Sequence, residues 1–365
     1  MNDTPDSKVT LILPVRRADK CLKRCLRSVM TGTVVPQILI MDCTSGENSS
    51  ESALKAIQSE FPQLRVVSFG ANPGRAHAVN TGIHLARTPF VMTLSPRLIV
   101  GRHCIERMLN SIEKDSRLFS VQAGILSAED PERLSGAGWN LTIGADPVIM
   151  GSGAKASAYL RRKRIAAAQM DAAVYRMEYL EVAGILDERY YSRLEDLDLG
   201  YRANLCGMYS ICEPSAVCRE TEAEAVSGFY DRLEIGNMVY FRYKYGLEPF
   251  VRKLEPTVRK LRRRFGIDAE DEGFEEAVIR GQMMCFQAEM EFMERSELGM
   301  SVTKQTLPEE FCMSVKDEKL RNFYPLYLGE REPEPDLALS ERILIRAGML
   351  SGTMEQIRRK TALPE

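Results

Sequence analysis

The feature that most limits what this chain can fold into is the alternation of short apolar runs with amphipathic stretches over its first seventy residues. Residues 9–14 (VTLILP) form an apolar, β-branched run of the kind shown by a strand buried on both faces. Leu22, Cys25, Leu26 and Val29 then recur at helical spacing, and Gly32 stands where a C-terminal cap belongs. The next apolar run, residues 38–41, ends at Asp42. Ala53, Leu54, Ile57 and Phe61 mark a second helix, and residues 64–69 a third strand. Neighbouring parallel strands need a crossover, which the intervening helices supply, so the pattern predicts an α/β fold around a mostly parallel, helix-flanked sheet. The ligand crevice of such a sheet lies outside the carboxyl ends of its strands. Asp42 falls at one of those ends.

Composition narrows the function classes. The 49 Lys and Arg against 51 Asp and Glu give a net charge of -2, so no overall field draws the chain to nucleic acid, and no nucleic-acid partner is expected. Nine cysteines are scattered without CxxC pairs or metal-type Cys/His spacing, which points to reduced thiols. The stretch MNDTPDSKV lacks a signal-peptide pattern, and no apolar run approaches the ~20 residues that span a bilayer. The expected location is the cytoplasm.

Residues 184–207 (GILDERYYSRLEDLDLGYRANLCG) carry the densest chemistry. Glu195, Asp196 and Asp198 fall within four residues where a helical pattern begins. Acidic residues are favoured in a first helical turn by the helix dipole, but that accounts for one or two of them rather than the whole. The run from Asp187-Glu188-Arg189-Tyr190-Tyr191 through Glu195-Asp196-Leu197-Asp198-Leu199 to Tyr201-Arg202 and Gly207 resembles the acceptor-side signature of the family 2 inverting glycosyltransferases, which have the GT-A fold. The resemblance implies that Asp196 is the catalytic base, with Glu195 beside it positioning the loop or meeting acceptor hydroxyls. Asp198 likewise positions the loop or meets acceptor hydroxyls, and Arg202 is an expected acceptor contact of the same segment.

On the nucleotide side, Asp42 sits in Met41-Asp42-Cys43-Thr44-Ser45, similar to the family's V-D-x-x-S, whose Asp binds the uracil or thymine and ribose. Thr44, Ser45 and Gly46 would equally suit a turn-initiating Asp. Residues 72–83 resemble the family's N-x-G-x-x-x-A-x-N-x-G-I, which lies beside the nucleotide diphosphate and supplies Asn72, Gly74, Arg75 and Asn80. Gly74 permits close backbone approach, a helix starting near Arg75 offers free N–H groups, and Arg75 adds a cation.

Two departures stand out. Where the family has D-x-D, or N-P-D in a rhamnosyltransferase-like branch, this chain has Ser95-Pro96-Arg97. Ser95 is a poor ligand for a hard cation and Arg97 is itself a cation, so no Mg²⁺ or Mn²⁺ site is expected. The other departure is Cys218, followed by Arg219, where family members often carry a metal- or diphosphate-binding His. Either Arg97 replaces the metal by pairing with phosphate oxygens, or the site has decayed and the protein no longer transfers sugar. Gly136, Gly138, Gly144 and Gly151 surround Trp139, which is either an aromatic platform for an acceptor sugar or a packed core residue.

Beyond about residue 225 the pattern turns helical. Residues 230–245 resemble the family's R-N-x-x-x-x-x-x-K segment, with Gly236 for Arg and Lys244 retained. Residues 251–265 form a basic amphipathic stretch, suited either to an anionic inner membrane face or to packing on its own domain. Further helical patterns cover residues 274–293 and 343–357, separated by a loop at 330–335. Taken together, the expectation is a GT-A domain over residues 1–245, with a nucleotide part to about 125 and an acceptor part after it, then a helical region over 246–365. Its partners would be a UDP- or dTDP-linked sugar and a saccharide acceptor, with self-association open. The competing expectation is a non-catalytic relative acting as a binding or scaffold subunit.

Overall fold

The computed structural model describes residues 7–44, 51–141, 147–159, 161–221, 228–245, 262 and 272–297. The expected basic stretch at 251–265, apart from position 262, the pattern at 343–357, the loop at 330–335, Ser45, Gly46 and Gly144 lie outside them. The chain divides into two compact units, one of residues 1–141, 147–180 and 208–224, the other of residues 142–146, 181–207 and 225–365. The acidic segment, grouped from the sequence with the first 245 residues, thus belongs to the same unit as the helices that follow residue 225.

The first unit is built on strands β1 (Val9–Val15), β2 (Gln37–Asp42), β3 (Arg65–Ser68), β4 (Phe90–Leu94), β5 (Leu98–Val100), β6 (Leu118–Leu126), β7 (Leu134–Gly136), β8 (Trp139–Leu141), β9 (Pro147–Ile149), β10 (Lys163–Ile165), β11 (Ala172–Arg176) and β12 (Tyr209–Glu220). The main sheet runs in the order β10-β12-β6-β11-β4-β1-β2-β3, with β5 on β12 and β7 on β6. Along that path β11 and β10 alone are reversed, so the sheet is mostly parallel. Helices α1 (Lys20–Met30), α2 (Glu51–Glu60), α3 (Arg75–Leu85) and α4 (Cys104–Lys114) supply the crossovers.

The sequence shows why these elements pack. In β1, Val9, Leu11, Ile12, Leu13 and Val15 are all fully buried, as expected of a strand covered on both faces. Helix α1 starts at Asp19, whose carboxylate accepts from the Cys21 and Leu22 amides, and it turns Leu22, Cys25, Leu26 and Val29 inward. It ends at Thr31, one residue before the expected Gly32. Helix α3 comes close to the sheet because Gly82 has no side chain: a Cβ there would lie 2.5 Å from Ile12 Cγ2. Strand β12 slips register between Glu213 and Val217, and its second half pairs with β5. That slip brings Thr221 against Arg97, whose carbonyl accepts from both the Thr221 amide and hydroxyl at 2.9 Å.

The boundary between the units falls within α5 (Met177–Ala183). The second unit then holds α6 (Glu195–Leu205), α7 (Gly228–Lys244) and α8 (Glu272–Glu297). Tyr201, Phe241 and Tyr245 meet edge-on or tilted, with ring centroids 4.3–5.4 Å apart. Helix α8 covers the expected helical pattern at 274–293.

Candidate functional site

In the first unit, the carboxyl ends of β1, β2 and β4 and the start of the reversed β11 share one edge of the sheet. Asp42 closes β2 there and is 8% exposed. Its Oδ1 accepts from the Thr44 amide at 3.0 Å and hydroxyl at 2.7 Å, and its Oδ2 from the Ser68 hydroxyl at 2.9 Å. The carboxylate is therefore held rigidly by its own turn and by β3. If it serves a nucleotide, Asp42→Asn, which keeps an acceptor for Thr44, and Asp42→Ala should both weaken UDP binding by roughly tenfold, about 1.4 kcal/mol. Calorimetry on folded protein checks this, and unchanged affinity would leave Asp42 a turn residue.

Asn72 Oδ1 accepts from the Gly74 amide at 3.1 Å, and Gly74, at φ 90, caps the start of α3 without a side-chain hydrogen bond. Only glycine takes that φ without strain. Arg75 follows in the first turn, 3.8 Å from the Asp171 carboxylate. Asn80 is 2% exposed inside the same helix.

Residues 95–97 form the turn between β4 and β5, with the Arg97 amide 3.4 Å from Ser95 Oγ. The antiparallel β4–β11 register sets Asp171 against Ser95, whose amide donates to the Asp171 carbonyl at 2.8 Å. Glu220 arrives from β12. Burial raises its carboxyl, Asp171 adds to the rise, and Arg97 acts in the opposite direction. Cys218 is buried with its Sγ 3.7 Å from Cys104 Sγ. The hydrogen bond between Cys104 and Cys218, and then burial, push the Cys104 thiol well up, which favours its protonated form. Among the described residues no group of three or more His, Cys, Asp or Glu could hold a metal ion. Ser95, Arg97 and Cys218 do not fit a hard divalent cation.

Asp171 and Glu220 were missed in the sequence. Asp171 reads as the residue before a small-residue strand, and only the β4–β11 and β5–β12 pairings bring these carboxylates to the two arginines.

Trp139 is 7% exposed, and its indole Nε1 has no hydrogen-bond partner among the described residues. Its backbone is clamped between the Ala166 and Ala167 peptides and β9. Its side chain is thus packed in the interior of this unit.

In the second unit the acidic segment opens α6 as expected. Glu195 is fully buried and Asp196 is 2% exposed, with Asp196 Oδ1 accepting from the Leu197 amide at 2.9 Å. Asp198 and Arg202 are both buried in this unit. Asp198 Oδ2 pairs with Arg202 Nε at 3.0 Å, and its Oδ1 with Lys244 Nζ at 2.8 Å. Tyr245 and Tyr190 hydroxyls also donate to that Oδ1, at 2.8 and 3.2 Å. Arg202 donates onward to the Ala183 and Ile185 carbonyls. Both side chains are bonded to protein groups on several sides, which fixes α6 in place.

Lys244 also pairs with Asp187 Oδ2 at 2.9 Å, which Tyr240 approaches at the same distance, while Arg189 holds Asp187 Oδ1 at 3.0 Å. Burial alone would raise the Asp187 carboxyl. Lys244, Arg189 and the Tyr240 hydroxyl outweigh it and hold the group far below the ordinary value of 3.8.

Residues 10–148 match the family model described as Glycosyl transferase family 2. The fold is GT-A. Among solved structures, a crystal structure of GalNAc-T7 with UDP, GalNAc and Mn²⁺ superposes with a TM-score of 0.52 at 14% identity, covering 75% of this chain and 57% of that one. The chain thus spans little more than half of that relative, and at this identity the likeness is one of fold. The mannosyltransferase PcManGT from Pyrobaculum calidifontis, in complex with GDP-Man and Mn²⁺, gives a TM-score of 0.48 at 15% identity, covering 94% of this chain and 87% of that one. No curated protein matches the chain. No helix among the described residues is long and apolar enough to cross a membrane.

Proposed function

We propose that this chain is a glycosyltransferase that moves a sugar from a UDP- or dTDP-linked donor to a saccharide or other hydroxyl acceptor with inversion, in the synthesis of a polysaccharide or glycoconjugate. The observation that carries the reading lies inside the matched region 10–148: Asp42 at the end of β2 and the Gly74-led start of α3 with Arg75. A carboxylate suits ribose and base hydrogen-bond donors, and an open helix start with a neighbouring guanidinium suits a diphosphate. Asp196 takes the proton from the acceptor hydroxyl as its oxygen bonds to the anomeric carbon. The bond from that carbon to the phosphate oxygen breaks, and the nucleoside diphosphate leaves. Glu195 positions the loop before α6.

The leaving diphosphate gains negative charge that must be stabilised. Arg75 and Arg97 are the cations proposed for it, in place of a divalent ion. In a calorimetric screen of UDP- and dTDP-sugars, donor binding should persist in EDTA, and Arg97→Ala should weaken it by roughly tenfold, the loss of about one charged hydrogen bond. A strict requirement for Mn²⁺ would overturn this division of labour. Ser95, Arg97 and Cys218 at metal-type positions also favour a second reading, a non-catalytic binding or scaffold subunit, and absence of binding to every donor would select it.

A further inference from the structure

The residues just before α6 have an unusual backbone. Tyr191, Arg193 and Leu194 have φ of 60, 77 and 66, and they are the only non-glycine residues with positive φ among those described. Left-handed backbone costs roughly 1–2 kcal/mol for each such residue, so the surroundings must over-determine it.

Asn237 on α7 does so. It is fully buried, and its Nδ2 donates to the carbonyls of Tyr190 at 3.0 Å, Ser192 at 2.8 Å and Arg193 at 2.7 Å. Its Oδ1 accepts from Arg280 NH1 at 3.0 Å, and Arg280 NH2 reaches toward the Arg189 carbonyl at 3.4 Å. A guanidinium only donates, so it fixes which end of the Asn237 amide faces the loop. Arg280 can stand there because α7 and α8 meet backbone to backbone. A Cβ at Gly236 would lie 2.7 Å from the Ala277 carbonyl oxygen, and one at Gly281 2.5 Å from the Gly236 carbonyl oxygen. Position 236 is where the resembling R-N segment has its arginine. Here that position is glycine, and the guanidinium beside Asn237 comes from α8.

We propose that Arg280, acting through Asn237, is a positioning residue that holds the strained 190–194 loop and thereby aims the start of α6, Asp196 included. The proposal rests on the reading of Asp196 as the proton acceptor. Glu195 and Asp196 are the two residues that follow the strained loop without a break, so a slack loop would let the carboxylate swing while leaving a donor site in the other unit untouched.

The test uses the full chain and compares Arg280→Ala and Arg280→Lys with wild type in two measurements. Amide hydrogen exchange over residues 189–196 should rise at least tenfold in Arg280→Ala, with the sheet strands unchanged. With whichever UDP- or dTDP-sugar wild type turns over, kcat should fall tenfold or more while donor KM stays within twofold, and Arg280→Lys should recover part of the loss because its ammonium reaches Asn237 Oδ1 alone. Unchanged exchange in a folded Arg280→Ala, or raised exchange with full kcat, overturns the proposal. Should Arg280→Ala fail to fold, Arg280→Lys decides, and wild-type exchange and kcat in it would overturn the proposal equally. A wild type that turns over no donor removes the reading of Asp196, and the exchange measurement then judges by itself whether Arg280 holds the loop.

Discussion

Lys244→Met should destabilise the chain by about 3–5 kcal/mol, the usual consequence of removing one partner from a buried ion network. Lys244 has no exposed surface and bridges Asp187 and Asp198 at 2.9 and 2.8 Å. Methionine fills most of the lysine stem but leaves two carboxylates buried, with Arg189 and Arg202 as their charged partners and tyrosine hydroxyls as neutral donors. In wild type the folded-state value of Asp187 lies below the unfolded one, so its contribution is present above pH 3.8 and is lost only as pH falls through the much lower folded value. In the variant, burial of Asp187 without the ammonium drives its carboxyl up, and protonation then relieves the charge. The stability gap between wild type and Lys244→Met should therefore be widest near neutral pH and shrink toward pH 4. Denaturant melts at several pH values check both size and trend, and a gap independent of pH would mean that lost packing, not charge, is the cause.

Asp196→Asn should lower turnover by roughly 10²–10⁴-fold, the usual weight of a general base, with donor affinity within about twofold. The substitution keeps an oxygen that can accept from the Leu197 amide, so α6 should begin as before. Asp198→Asn is the control. It breaks the pairing with Lys244 and Arg202, so it should lower stability and reduce activity only in step with the folded fraction. Stable Asp196→Asn protein with most of its rate would move the base to another residue. A matching loss of stability in both variants would reduce the acidic triplet to a structural role.

Much of the fold was legible in local pattern. The largely buried β1 and β2 and the one-sided α1 follow from continuous apolar runs and the 3.6-residue helical period, both written in neighbouring residues. So were Asp42 at a strand end, the start of α3 after Gly74 and the start of α6 at Glu195, because each is set by a break in pattern within a few residues.

What the sequence by itself determined, then, is that the opening strands and helices and α6 form and about where each begins. What only the tertiary structure decided is which side chains they bring together. The β4–β11 pairing joins Ser95 to Asp171, and the β12 slip carries Thr221 to Arg97, contacts 76 and 124 positions apart. That Lys244, Tyr245 and Tyr190 converge on Asp198, and that the Trp139 backbone is clamped between the Ala166 and Ala167 peptides and β9, are likewise contacts between distant segments. The apparent loss of an arginine at position 236 is made up from α8, 44 residues away. The physical reason is the same in each case. A charge's role is set by burial and by its partners, and both arise from contacts between distant segments that no local periodicity encodes.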